Sequence, residues 1–243
     1  MTLSPRSPAP AQWRGRPLAA VLFDLDGTLL DTALDIALAL NRTLADYGSA
    51  PVAAGDVRRM IGRGAPMLIQ RAAALQRHEL DEASCASMVE RFFHHYGALE
   101  QNDECAARPF AGVAEALQRL HAAGLAIAVV TNKQQRFAES LLRLCGLGQW
   151  VHLIVGGDSC ERRKPDPQPL LFACAALGVP PTAALMVGDS TNDVQAARAA
   201  GIAIVCVPYG YNEGQDPREL PCDALVESLA DLPAMLLHEA QPA

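Results

Sequence analysis

The chain has 243 residues, is half apolar and carries a net charge of −7, which suits one large domain or a core with a small insert. That acidic balance, with aromatics at only 5%, disfavours nucleic acid as a partner and leaves little surface for base stacking. No apolar run approaches the roughly 18 residues of a membrane span.

Residues 1–17 carry three arginines and no acid, and are rich in Pro and Ser. They lack the apolar segment of a secretory signal, so a flexible tail is expected there. Seven cysteines are scattered without a CxxC pair. This pattern predicts free thiols in a reducing, cytoplasmic setting.

Leu18–Phe23 is a short apolar run and reads as a buried parallel strand. It breaks into Asp24-Leu25-Asp26-Gly27-Thr28. Carboxylates at the end of a buried strand are costly unless paired, hydrogen-bonded or holding a metal. Helical patterning follows over Thr32–Asp46, with apolar residues at Ile36, Leu38, Leu40, Leu44 and Tyr47. A second helical stretch after Asp56 is interrupted by Gly62-Arg63-Gly64 and resumes over Met67–Leu75. A further helix is expected from about Asp81 to Leu99. No strand signal occurs from Thr32 to Arg108, so this is expected to be a helical insert.

From Pro109 the pattern alternates. Helices are expected at Gly112–Ala123, Gln135–Cys145, Asp166–Leu177 and Val194–Ala200. Strands are expected at Leu125–Val130, Leu153–Val155, Ala184–Val187 and Ile202–Val207. Alternating strands and helices predict right-handed βαβ units, hence an α/β fold with a Rossmann-like parallel sheet. The expected division is a core of 18–31 and 109–243, with a helical insert of 32–108.

Three of the strands end in polar clusters: Asp24/Asp26, Thr131/Asn132 and Asp189/Asp193. Lys164 follows a fourth apolar segment. A parallel sheet gathers such ends on one edge. Asp24 and Asp189 are hard oxygen donors suited to Mg²⁺. A carboxylate there can also act as a nucleophile toward phosphorus. Lys164 and a metal would offset repulsion between that carboxylate and an anionic phosphate. Asp26, two residues beyond Asp24, can serve a leaving oxygen as general acid and then water as general base. The Thr131 hydroxyl and amides near Asn132 can bond phosphoryl oxygens.

Together Asp24-Leu25-Asp26-Gly27-Thr28, Thr131-Asn132, Lys164-Pro165 and Gly188-Asp189-Ser190-Thr191-Asn192-Asp193 resemble the four motifs of the haloacid dehalogenase-like hydrolase superfamily. The resemblance spans about Ala19–Leu237. It implies Asp24 as nucleophile, Asp26 as acid/base, and Mg²⁺ between Asp24, the Asp26 backbone carbonyl and Asp189. It also implies that Thr131, Asn132 and Lys164 hold phosphate, with Asp193 and Ser190 in support. The insert then resembles the family's C1 cap. Asp26 favours a phosphatase over a dehalogenase.

Met60–Ala65, Val130–Lys133 with Arg136-Phe137, Gly156-Gly157-Asp158 and Pro208–Asn212 are similar to segments of the bacterial phosphoglycolate phosphatase branch. The expected reaction is dephosphorylation of 2-phosphoglycolate to glycolate. The alternatives are a sugar-phosphate phosphatase or a phosphoglucomutase-like phosphotransferase, and more remotely a non-catalytic binding protein. Gly62 and Gly64 permit a close backbone approach, and Arg63 can bind a substrate carboxylate. Lys133 and Lys164 are the only lysines, so the insert has none for a Schiff base. The expected partner is a small-molecule phosphate ester, and the chain is expected to be a monomer or homodimer.

Several residues receive plain structural readings. Asp31 and Thr32 are expected to cap the first helix of the insert. Asp158 is read as a loop or cap residue, and Lys133 as exposed. Tyr209, Tyr211 and Asn212 are read either as a turn or as a closure over the site.

Overall fold

Apolar runs with no polar alternation form the middle of the sheet, as expected when helices cover both faces. The computed structural model describes residues 11–237. The chain begins with β1 (Gln12–Trp13), β2 (Arg16–Pro17), β3 (Ala20–Phe23) and β4 (Leu30–Asp31). It then makes four consecutive helices, α1 (Ala33–Asp46), α2 (Ala54–Arg58), α3 (Ala65–Leu75) and α4 (Glu82–Gln101). After these come β5 (Arg108–Pro109), α5 (Val113–Ala122), β6 (Ala126–Val130), α6 (Gln135–Leu144), β7 (Leu153–Val155) and α7 (Gln168–Ala176). The chain continues through β8 (Ala184–Gly188), α8 (Thr191–Ala200), β9 (Ala203–Cys206), β10 (Ala224–Leu225) and α9 (Leu232–Leu237).

Six strands form one parallel sheet in the order β10-β9-β8-β3-β6-β7. Alternate residues go to opposite faces. Val21, Phe23, Ile127, Val129, Leu185 and Val187 pack with α5, α6 and α9. Ala20, Leu22, Ala128, Val130, Met186 and Ile204 pack with α7 and α8. The chain leaves β3 toward β6 and β7, then returns to the other side of β3 through β8. This reversal is the topological switch point, where α/β sheets leave a crevice beyond the carboxyl ends of the strands.

The four helices of the insert enclose their own apolar cluster, including Ile36, Leu40, Val57, Ile69, Met88 and Leu99. Phe137 of α6 and Tyr211 of a core loop reach into it. β4 and β5 pair antiparallel, Leu30 with Pro109 and Asp31 with Arg108, so the entry and exit of the insert are tied together. Among the described residues, no helix is long and apolar enough to cross a membrane.

Three departures from expectation have local causes. Residues 12–17 are a two-stranded hairpin rather than tail. Trp13, 8% exposed, is drawn into the sheet's apolar cluster; residues 1–10 of the expected tail lie outside the described residues. In α1, Ile36, Leu40 and Leu44 are buried, but Leu38 and Tyr47 are exposed. At 3.6 residues per turn, Leu38 points far around the helix from Ile36. Finally, α8 starts at Thr191 rather than Val194, because Ser190 and Asp193 form a reciprocal capping box.

Candidate active site

Asp24 continues the ladder of β3 by donating its N–H to the Val187 carbonyl at 2.9 Å. The chain then turns sharply, with Gly27 at φ +90° and the amides of Leu29 and Leu30 both donating to the Leu25 carbonyl. A side chain at Gly27 would collide with the Asp189 carboxylate and the Tyr211 ring. The turn therefore requires glycine for its backbone angle and for space.

β8 lies beside β3, so its end brings Asp189 next to Asp24. Lys164 is 3% exposed, and its Nζ lies 2.9 Å from Asp24 Oδ1 and 2.7 Å from Asp193 Oδ1. The Asp193 contact is a directed hydrogen bond. The Asp24 contact is a buried ion pair, in which the Lys164 ammonium faces Asp24 Oδ1. The other oxygen of Asp193 accepts from Ser190 Oγ at 2.7 Å and from the amides of Ser190 and Asp189. Asp189 accepts from Thr28 Oγ1 at 2.8 Å and from the Tyr211 amide at 2.6 Å. Thus Asp24, Lys164, Asp189, Asp193 and Ser190 come together as the sequence predicts.

The electrostatics of this cluster are strained. Burial, with repulsion from Asp193 and Asp26, outweighs attraction to Lys164 and raises the Asp24 pKa to about 7. Burial and the charges of Asp24 and Asp193 push Asp189 well above the carboxylate range. Burial works against the Lys164 ammonium, but Asp193 and Asp24 outweigh it and hold its pKa above the ordinary lysine value. Four carboxylates (Asp24, Asp26, Asp189 and Asp193) share two ammonium groups, Lys133 and Lys164. Carboxylate oxygens of Asp24, Asp189 and Asp193 lie within 4.8 Å of one another. The Asp193 oxygens are already engaged by Lys164, Ser190 and backbone amides. Asp24, whose Oδ1 meets the Lys164 ammonium, and Asp189, with one hydrogen bond to each oxygen, keep lone pairs for a cation. A hard divalent cation fits this set, since it would supply the missing positive charge.

A cleft between sheet and insert opens beside Asp24. Asp26, Thr131, Asn132, Lys133, Gly62, Gly64 and Arg163 line it, with Phe92, Phe93, Tyr96 and Phe137 as its apolar wall. Thr131 is 3% exposed. The Asn132 side-chain amide donates to the Gly62 and Lys164 carbonyls, both at 2.9 Å. It thereby latches the insert loop to the lysine segment. Asn132 Oδ1 is buried without a partner. Gly62 and Gly64 adopt φ +130° and +80°, the tight loop their sequence predicts.

Other expected site and cap residues sit differently. Arg63 is outside the cleft lining, 44% exposed in its side chain, with Nε 3.0 Å from Glu213 Oε1. Glu213 also holds Arg71 at 2.9 Å, so this acid draws Arg63 outward. Arg163 lines the cleft in its place, with Nε donating to the Gly157 carbonyl. Lys133 is not exposed. Its side chain is 8% accessible, Nζ lies 2.9 and 3.2 Å from the two Asp26 oxygens, and it covers the Tyr96 ring at 4.6 Å. Thr32 occupies the N-cap position of α1 but makes no side-chain cap bond. Its hydroxyl instead donates to Asp26 Oδ1 at 2.6 Å. Asp158, by contrast, is a cap residue as expected, accepting from the Gln135 amide at the start of α6 at 2.8 Å.

A family model described as haloacid dehalogenase-like hydrolase matches residues 21–207. The chain belongs to this family. It is similar to the phosphoglycolate phosphatase of Thiobacillus denitrificans, 43% identical over 221 residues, 90% of this chain and 96% of the relative. A crystal structure described as a predicted phosphoglycolate phosphatase from Haemophilus somnus superposes with a TM-score of 0.81 at 34% identity, covering 88% of this chain and 96% of that one. CbbY from Rhodobacter sphaeroides, crystallised with xylulose-(1,5)bisphosphate, superposes with a TM-score of 0.75 at 27% identity, covering 88% of this chain and 96% of that chain.

As a member of the haloacid dehalogenase-like hydrolase family, the chain is a hydrolase. Sequence reasoning read Lys133 as exposed, although it lines the cleft, and left Tyr211 open between a turn and a closure over the site. Lys133 carried a signal, since it directly follows Thr131-Asn132 at a strand end and is one of two lysines in the chain. Tyr211 carried less. Its hydroxyl accepts from the amides of Thr32 and Ala33 and donates to Asp31, while its own amide serves Asp189. It therefore joins the start of the insert to the acidic cluster, which only the folded chain reveals.

Proposed function

We propose that this chain is a magnesium-dependent phosphomonoester hydrolase, that it works through an aspartyl-phosphate on Asp24, and that its substrate is 2-phosphoglycolate. The observation that carries this reading is Asp24 itself. It is a buried carboxylate paired with the Lys164 ammonium, beside Asp189, at the mouth of a cleft. The names of the similar proteins support the substrate.

In the first step an Asp24 oxygen attacks phosphorus, the bond from phosphorus to the ester oxygen breaks, and Asp26 gives its proton to that oxygen. In the second step Asp26 takes a proton from water as the water oxygen attacks phosphorus. The bond from phosphorus to the Asp24 oxygen breaks and phosphate leaves. Lys164 and the Thr131 hydroxyl hold the phosphoryl oxygens throughout, and Asp193 keeps Lys164 in place. Asp24, Asp189 and the Asp26 backbone carbonyl would hold magnesium, which would supply positive charge against the anionic phosphate. The insert of residues 32–108 serves as a cap on a core of 18–31 and 109–243. Its apolar wall excludes bulk water while Asp24 reacts. Seven free cysteines support a reducing, cytoplasmic setting.

The test is phosphate release from 2-phosphoglycolate with magnesium, after chelation, and after magnesium is restored. Turnover should vanish on chelation and return with the metal. Undiminished turnover in excess chelator would overturn metal dependence. A second reading, a sugar-phosphate phosphatase, is favoured by the similarity to CbbY with its bound xylulose-(1,5)bisphosphate. A higher kcat/KM on a sugar phosphate than on 2-phosphoglycolate would select it.

A further inference from the structure

Lys133 is a nearly enclosed cation whose anionic partner is Asp26. It approaches both Asp26 oxygens, at 2.9 and 3.2 Å, its side chain is 8% exposed, and the Tyr96 ring lies 4.6 Å beneath it. Asp26 is thus held on two sides, because Thr32 Oγ1 also donates to Oδ1 at 2.6 Å. An acid fixed in this way cannot serve a leaving oxygen without giving up part of its bonding. A cation in such surroundings cannot release its anion without another to replace it, because an unpaired buried charge is strongly unfavourable.

We propose that Lys133 binds a second negative group on the substrate, and that it exchanges Asp26 for that group when the substrate enters. This deepens the phosphatase reading above and rests on it. In 2-phosphoglycolate the carboxylate and the ester oxygen are separated by one methylene. A group that touches Asp26 is therefore placed to touch the carboxylate of a substrate whose ester oxygen faces Asp26. Of the other cations, Arg63 pairs with Glu213 and Lys164 with Asp24 and Asp193, while Arg163, whose Nε donates to the Gly157 carbonyl, lines the cleft without contacting Asp26. The exchange links recognition to chemistry, since a carboxylated ester frees Asp26 and an ester with a neutral tail does not.

The test is steady-state kinetics with magnesium on 2-phosphoglycolate and on ethyl phosphate, for wild type, Lys133→Met and Lys133→Arg. Removing one partner of a buried charge pair supports an expected fall of about 100-fold in kcat/KM on 2-phosphoglycolate for Lys133→Met, carried mainly by KM. The fall on ethyl phosphate should be at least tenfold smaller, and Lys133→Arg should recover part of the selectivity. Lys133→Gln is the second variant should Lys133→Met not fold. Equal losses on both esters, or a loss in kcat alone, would overturn the proposal while leaving the phosphatase reading intact. If wild type releases phosphate from neither ester, the phosphatase reading fails and this inference fails with it.

Discussion

Asp24→Asn should abolish phosphate release, by at least about 10⁴-fold in kcat, as loss of a nucleophile does elsewhere. Asparagine keeps the size and burial of the side chain but has no nucleophilic oxygen of comparable strength. The variant should remain folded, with a thermal midpoint at or above that of wild type in the absence of metal. Burial and repulsion from Asp193 and Asp26 already raise the Asp24 pKa to about 7, so the ionised carboxylate is held against its preference. Removing that charge also relieves Asp189, whose pKa is pushed up partly by Asp24. Phosphate release and circular dichroism with thermal melting check both halves. Substantial turnover by a folded Asp24→Asn protein would remove Asp24 as nucleophile.

Lys164→Met should fail in both activity and stability. Methionine fills a similar volume, but it leaves Asp24 and Asp193 buried without the ammonium that lies 2.9 and 2.7 Å from them. Breaking a buried pair in this way costs about 3–5 kcal/mol. Adding Asp193→Asn should recover much of the stability, because one uncompensated charge is gone and the capping amide of α8 retains an acceptor. It should not recover turnover, because no cation then faces Asp24 and the phosphate. Chemical denaturation of the two single variants and the double variant measures this coupling. Strictly additive losses would show that Lys164 and Asp193 do not act as a unit.

The parts of the molecule that were legible in the sequence are those set by local chemistry. The sheet strands Ala20–Phe23, Ala126–Val130 and Ala184–Gly188 are continuous apolar runs, and burial on both faces demands such runs. Their polar ends gather at the switch point because the topology leaves no other edge. What the sequence left hidden depends on partners distant in the chain. The two-residue pairing of Leu30-Asp31 with Arg108-Pro109 is too short for any periodicity. Lys133 reads as a surface residue until the insert places Tyr96 beneath it. Thr32 reads as a helix cap until the turn at Gly27 brings Asp26 to its hydroxyl. Arg63 reads as a carboxylate ligand until Glu213, 150 residues away, takes its Nε.

The most direct test of the covalent route is rapid acid quench of the Asp26→Asn variant after mixing with substrate bearing radiolabelled phosphate. This variant should load slowly and hydrolyse the loaded form more slowly still. Label should appear on the protein, map to the peptide containing Asp24, and be released by hydroxylamine as an acyl phosphate is. Phosphate release without any protein-bound label, or label on a peptide lacking Asp24, would contradict an aspartyl-phosphate at this site.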